Sequence, residues 1–161
     1  MTTVLAVHDA FASDARLLHQ LLQRAFEEYA GKLDPPSGAN RETVSSIEHK
    51  LAEGGALICR QGELPLGCVF YAPKDDHLYV GRLSVPPPHR GRGIGDLLLR
   101  AAEARATALD LPCVRIGVRL ALEALHAYYA GRGYAAIGLR SHAGYARPTF
   151  VEMEKRLLIS S

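Results

Sequence analysis

His89-Arg90-Gly91-Arg92-Gly93-Ile94-Gly95-Asp96 joins a strand-like run, Leu78 to Val85, to a strongly apolar-periodic run, Ile94 to Leu109. A glycine-rich turn that passes straight into a helix leaves backbone N–H groups unpaired and convergent, and the helix dipole adds partial positive charge where they meet. Such a turn is a phosphate cradle. Its glycines at 91, 93 and 95 let the backbone approach an anion without Cβ hindrance, while Arg90 and Arg92 supply donors of the opposite charge.

Spacing excludes two common phosphate ligands. A Walker loop ends Gly-Lys-Ser/Thr, whereas this turn ends Gly93-Ile94-Gly95-Asp96; a dinucleotide fingerprint needs a third glycine three residues after the second, where the chain has Asp96 and Leu98. What remains, Arg90-x-x-Gly93-x-Gly95, resembles the pyrophosphate-binding motif of the GNAT superfamily of N-acetyltransferases, which use acetyl-coenzyme A. Leu83-Ser84-Val85-Pro86 leads in as it does in that family, and Tyr129-Ala130-Gly131-Arg132-Gly133-Tyr134 follows at the expected distance. The resemblance covers roughly Gly62 to Leu157.

Outward from the turn, Ile94, Leu97, Leu98, Ala101, Ala102, Ala108 and Leu109 make one helix stripe, with Asp96 and Arg100 as an i,i+4 pair on the opposite face. Cys113 to Val118 is a short apolar strand that returns parallel to the one before the turn. Leu120 to Gly131 reads as a short helix, then Tyr134 to Leu139 and Thr149 to Leu157 as strands. On the N-terminal side, Thr2 to Val7 is β-like, and a helix capped by Ser13 reaches about Ala30, with Leu17, Leu18, Leu21, Leu22, Ala25, Phe26 and Tyr29 on one face. Prolines and glycines between Gly31 and Gly38 forbid its continuation, and a second helix runs from after Asn40 to Gly54. Ala56 to Arg60 and Leu64 to Tyr71 form a hairpin, followed by a central strand, His77 to Val85. The expected fold is α+β: a central, mostly antiparallel, splayed sheet of six or seven strands flanked by about four helices, as the resemblance also implies.

The 161 residues suit one domain spanning 1–161, with 22% charged and 48% apolar residues as in an ordinary globular protein. A net charge of +2 gives no electrostatic case for nucleic acid. Cys59, Cys68 and Cys113 are odd in number, lack metal-ligand spacing and sit in apolar runs, which reads as buried reduced thiols and a cytoplasmic protein. No signal segment or membrane span is expected. Exposed edge strands leave room for a homodimer.

The resemblance implies acetyl transfer from acetyl-coenzyme A to the amine of a small molecule or peptide by direct attack, without a metal. It implies that Leu83, Ser84 and Val85 meet the pantetheine arm through their main chain, where one N–H polarises the thioester carbonyl, a kind of donor worth roughly 2.7–4 kcal/mol. Arg90, Gly91, Arg92, Gly93, Ile94, Gly95 and Asp96 would hold the pyrophosphate. Tyr129 matches the family's general acid, a phenol protonated at neutral pH. The family's strand glutamate is replaced by Tyr79, which leaves His77, or proton loss through water, as the base. The asparagine that often precedes the helix tyrosine by seven residues is Leu122 here. The acceptor cleft would be lined by Tyr29, Asp34, Glu42, His142 and Tyr145, its acidic groups holding a cationic amine. Two further readings stay open: an acyl-coenzyme A sensor that keeps the cradle without turnover, which has no need of a phenol at the sulfur, and a basic nucleic-acid module, which the near-neutral charge disfavours.

Overall fold

The computed structural model of the chain describes residues 4–157. Seven strands, β1 (Leu5–Asp9), β2 (Gly55–Gln61), β3 (Leu64–Pro73), β4 (Leu78–Ser84), β5 (Cys113–Arg119), β6 (Ala135–Arg140) and β7 (Phe150–Arg156), form one sheet in the order β1-β2-β3-β4-β5-β7-β6. Four α-helices flank it: α1 (Ala15–Phe26), α2 (Val44–Glu53), α3 (Ile94–Ala108) and α4 (Glu123–Ala130). All neighbours pair antiparallel except β4 and β5, which the α3 crossover makes parallel.

Two apolar layers fix the faces. Leu66, Val69, Leu78, Val80, Val114, Ile116 and Val118 face α3, whose Ile94, Leu98, Leu99 and Ala102 are buried against them. Ile58, Cys68 and Phe70 face the other way, onto Leu18, Leu21 and Leu22 of α1 and Ile47 of α2. Burying a leucine or isoleucine side chain is worth about 1.5–3 kcal/mol, so these stripes hold the helices to the sheet.

The N-terminal boundaries differ from the sequence expectation. Thr2 and Thr3 lie outside the described residues, and β1 runs on to Asp9. Ser13 caps nothing; a 3-10 turn, 12–14, precedes α1, and the carboxylate of Asp14 accepts the N–H of Phe11 at 2.8 Å. A further 3-10 turn, 38–41, occupies the expected start of α2, which begins at Val44 behind a reciprocal cap from Thr43: Ser46 N–H donates to Thr43 Oγ1 at 3.0 Å and Thr43 N–H to Ser46 Oγ at 2.8 Å. The three cysteines are free and buried, and burial pushes the Cys68 thiol up to about 12.

Two irregularities in β4 position the site. β4 and β5 pair only at Leu78↔Val114 and Tyr79↔Arg115, and beyond Tyr79 the two strands diverge. On its other side, β4 carries one extra residue against β3, since Phe70 faces Gly81 while Cys68 faces Ser84. The bulge centres on Arg82, whose φ is +54°, a left-handed conformation that costs a non-glycine residue roughly 1–2 kcal/mol. An added residue inverts the inside–outside alternation. Leu78 and Val80 face α3, but Arg82 and Ser84 therefore turn to the α1–α2 side, where Ser84 is buried with its hydroxyl donating to Arg82 O at 2.8 Å.

Candidate active site

The divergence of β4 and β5 opens a cleft of about 740 Å³ between the α1–α2 connection, the bulge, the glycine turn, the end of β5 and α4. That is the size of a small-molecule site. At one end the chain leaves β4 through a 3-10 turn, 87–89, in which the N–H groups of His89 and Arg90 are taken by Pro86 and Pro87 carbonyls. From Gly91 to Asp96 no N–H has an acceptor among the described residues, and the first α3 bond is Leu97 N–H to Gly93 O at 3.1 Å. Gly91 and Gly93 have φ of +81° and +78°, which turns these groups to one side of the helix start. The result is a row of unpaired main-chain N–H groups at the start of α3, where the sequence reading expects an anion.

The two arginines of the turn do different work from that expected. Arg90 donates from Nε to Val85 O at 2.8 Å and from a terminal nitrogen to Ala25 O at 3.1 Å, and it pairs with Glu28 at 2.7 Å. It fastens the turn to the ends of β4 and α1, and it holds the Glu28 carboxyl below its ordinary range. Arg92 points out of the cleft and donates to Gln61 Oε1 at 2.9 Å. Asp96 pairs not with Arg100 along α3 but across to α4: it accepts from Arg132 Nε at 2.6 Å and from the Tyr128 hydroxyl at 2.8 Å, and Arg132 stacks on the Tyr128 ring. The Arg132 hydrogen bond, aided by Tyr128, holds the Asp96 carboxyl low. Tyr128 is thus the link that seats α4 on the start of α3. Ile94 is buried beneath the turn, and a Cβ on Gly95 would stand 3.0 Å from the Tyr128 hydroxyl oxygen.

Tyr129 lines the cleft from α4, its ring edge-on to those of Tyr128 and Tyr134. Burial, with Tyr128 nearby, raises its pKa above the ordinary tyrosine value, so its phenol keeps its proton. No hydrogen-bond partner for that hydroxyl occurs among the described residues. Leu83 and Val85 line the gap from β4. Leu122 is the N-cap of α4 and, being apolar, makes no capping bond. Tyr79 reaches over Gly117, where a Cβ would lie 3.3 Å from its hydroxyl oxygen.

His77 is elsewhere. It sits at the paired end of β4, its Nδ1 2.8 Å from Asp76 Oδ1, and roughly 17 Å of strand separates it from the bulge. Among the acceptor-side residues, Tyr29 and His142 line the cleft. Asp34 and Tyr145 meet each other near its mouth, the phenol donating to the carboxylate. Glu42 does not itself line the cleft: its carboxylate takes the Ser46 hydroxyl at 3.0 Å and stands 3.7 Å from Lys50 Nζ and 3.8 Å from Arg82 Nε. Sequence reasoning passed over two residues that line this end, Arg82 and Arg119. The signal was an arginine in a largely apolar strand, alone in β4 for Arg82 and together with Arg115 in β5 for Arg119.

An open sheet split beside a glycine turn that opens a helix is the architecture of acyl-coenzyme A N-acyltransferases. The sequence model of the acetyltransferase (GNAT) family matches residues 15–134, and the chain belongs to that family. Solved structures share its fold. A GNAT family acetyltransferase from Elizabethkingia anophelis with acetyl-CoA bound superposes with a TM-score of 0.75 at 17% identity, covering 97% of this chain and 100% of that one. PaiA N-acetyltransferase from Thermoplasma acidophilum in complex with coenzyme A gives 0.78 at 16%, covering 96% and 99%. The ribosomal-protein-S18-alanine N-acetyltransferase from Escherichia coli gives 0.78 at 14%, covering 98% and 97%. No curated protein matches the sequence. Among the described residues no helix is long and apolar enough to cross a membrane.

Proposed function

We propose that the protein transfers the acetyl group of acetyl-coenzyme A to a primary amine of a small molecule by direct attack within the β4–β5 cleft. One observation carries the reading: the gap between the diverging strands is continuous with unpaired N–H groups at the start of α3 and is overlooked by a protonated phenol. The N–H groups of Gly91 to Asp96 fit a pyrophosphate, and Arg90 and the Asp96–Arg132 pair hold them in place from either side. The main chain of β4 from the bulge onward, which β5 has left, receives the pantetheine arm. An N–H there stabilises the charge that develops on the thioester oxygen, and Tyr129 donates its proton to the departing sulfur.

The attacking amine gives up a proton as its nitrogen bonds to the acetyl carbon. His142 is the group in the cleft suited to take it. Its Nδ1 is bonded to Thr149 Oγ1 and its ring packs edge-on against Phe150. Burial first, and then the charges of Arg119 and Arg41, depress its pKa below the usual histidine value. It is therefore neutral at neutral pH and stays so into mildly acidic solution. The kcat–pH profile is expected to keep its plateau below pH ~6.5, the ordinary histidine pKa, before falling, and His142→Gln to lower the plateau and erase that acid limb. A limb unchanged in the variant removes His142 from the proton path.

A thermal melt with acetyl-coenzyme A, coenzyme A, ATP and NAD in parallel tests the cradle. At ligand about 100 times its Kd the native state gains ~2.7 kcal/mol, a rise of roughly 5–10 °C for this chain size. Shifts confined to the coenzyme A compounds support the reading. Equal shifts with ATP and NAD make the turn a generic anion site.

A further inference from the structure

We propose that the amine accepted by this protein also carries an anionic group, a carboxylate or phosphate, which Arg82 and Arg119 hold at the end of the cleft away from the glycine turn. The proposal rests on the acetyl-transfer reading of the same cleft and names its acceptor class.

The charges lining the cleft do not balance. Its arginines are Arg82, Arg90, Arg119 and Arg132, and its carboxylate is Asp96. Arg132 is neutralised by Asp96 at 2.6 Å and Arg90 by Glu28 at 2.7 Å. The other two lack so close a carboxylate partner. Arg119 donates to a neutral group, the carbonyl of buried Pro35, and no carboxylate lies within ion-pair distance of it among the described residues. Asp34, which acts on it from farther off, already accepts the Tyr145 hydroxyl. Arg82 Nε is buried without a hydrogen-bond acceptor, 3.8 Å from Glu42 Oε2, and that carboxylate is shared with Lys50 at 3.7 Å. Arg41, exposed beside this end, adds a further positive charge that both His142 and Tyr145 sense.

Desolvating a guanidinium without a matching anion is unfavourable, and the fork of five N–H donors is shaped for a carboxylate or phosphate. The backbone reinforces the point. Arg82 occupies the left-handed position of the bulge, a conformation that glycine adopts without strain, and its guanidinium lies so close over Gly38 that a Cβ there would come within 2.4 Å of it. The strain places a cation in the cleft, which is the pattern of a functional constraint. The proposal reverses the expectation that acidic groups hold a cationic amine: the Glu42 carboxylate is already shared among Ser46, Lys50 and Arg82, and a polyamine would meet Arg119 and an only partly offset Arg82. Positive charge beside the acceptor also lowers the pKa of its ammonium group, which raises the share of the neutral amine that attacks.

The test is acetyl transfer at saturating acetyl-coenzyme A to amino acids, each beside its own carboxamide, to O-phosphoethanolamine beside ethanolamine, and to spermidine. The expected result is a kcat/KM about 10- to 100-fold higher for at least one anionic acceptor than for its neutral counterpart. Which pair shows it decides between carboxylate and phosphate. Arg82→Gln and Arg119→Gln should each raise the KM of that acceptor about tenfold or more, leave KM for acetyl-coenzyme A and the melting temperature close to normal, and barely affect the neutral counterpart. Arg82→Lys and Arg119→Lys, which keep the charge, should recover part of the loss. Equal or better use of the carboxamides, ethanolamine or spermidine overturns the proposal while leaving acetyl transfer intact. If no amine is acetylated, melting of the coenzyme A-loaded protein with N-acetylglycine and with N-acetyl-O-phosphoethanolamine separates the two: a rise lost in both glutamine variants supports the anion site and overturns the transfer reading, and no rise overturns the anion site as well.

Discussion

Replacing Tyr129 by phenylalanine should lower turnover by ~10²-fold or more while leaving the fold and the coenzyme site in place. The structural half of this expectation follows from what the phenol does not do. Its hydroxyl makes no hydrogen bond among the described residues, whereas the ring packs edge-on at 5.1 Å from Tyr128 and 5.8 Å from Tyr134, contacts that phenylalanine retains. Removing a hydroxyl that faces the cleft without a protein partner abolishes no interaction within the fold, so stability should stay close to unchanged. The chemical half follows from protonation. Burial raises the pKa of Tyr129, so across neutral and moderately alkaline pH the variant loses a proton donor rather than an anion. The thiolate of the departing coenzyme must then take its proton from water. The checks are kcat at saturating substrates, the melting temperature, and the melt shift with coenzyme A. A loss in kcat with an unaltered coenzyme shift places Tyr129 at the chemical step. Unaltered kcat removes it from the mechanism, and the sensor reading, which needs no acid at the sulfur, would regain its ground.

The elements around the cleft were legible in the sequence because each is written in local chemistry. The apolar stripe from Ile94, the Gln61-Gly62-Glu63 turn of the β2–β3 hairpin and the stop at Gly54 each follow from period or from a backbone requirement. The glycine turn was legible for the same reason: an unpaired row of N–H groups needs only the chain's own conformation. Less visible was whatever depended on which strand lies beside which. Nothing local announces that β7 inserts between β5 and β6, or that β4 loses β5 after Tyr79. His77 lay near Leu83 in sequence, but strand geometry carried it to the far end of the sheet. Arg82 was hidden by parity. Strict alternation with Leu78 and Val80 puts it among the apolar residues under α3, and the single extra residue of the bulge turns it to the acceptor side instead. Arg90 and Asp96 show the converse: expected at a pyrophosphate, they spend their charges in holding the turn.

Gly93→Val should abolish measurable coenzyme binding, reducing affinity by ~10²-fold or more. The reason is the backbone and not crowding. A Cβ at Gly93 would meet nothing within 4 Å, so the site has room for the side chain, but φ is +78° at the N-cap of α3, a region where a β-branched residue is a genuine outlier. The left-handed conformation costs roughly 1–2 kcal/mol for an ordinary L-residue, and the chain can shed that cost by rotating the Arg92–Gly93 and Gly93–Ile94 peptides. Those peptides carry N–H groups of the cradle. Any rotation that relieves the substituted valine turns them from the common point at which an anion would sit, and several charge-assisted hydrogen bonds, each worth about 1.5–3 kcal/mol, are weakened together. Gly31→Val provides the matched control, since Gly31 has φ of +74° and equally open surroundings, but lies in the loop after α1, remote in sequence from the turn. Both variants should lose comparable melting temperature without ligand. Only Gly93→Val should also lose the coenzyme A shift. Equal retention of the shift in both would mean that the coenzyme phosphates are held elsewhere, by side chains and not by the turn.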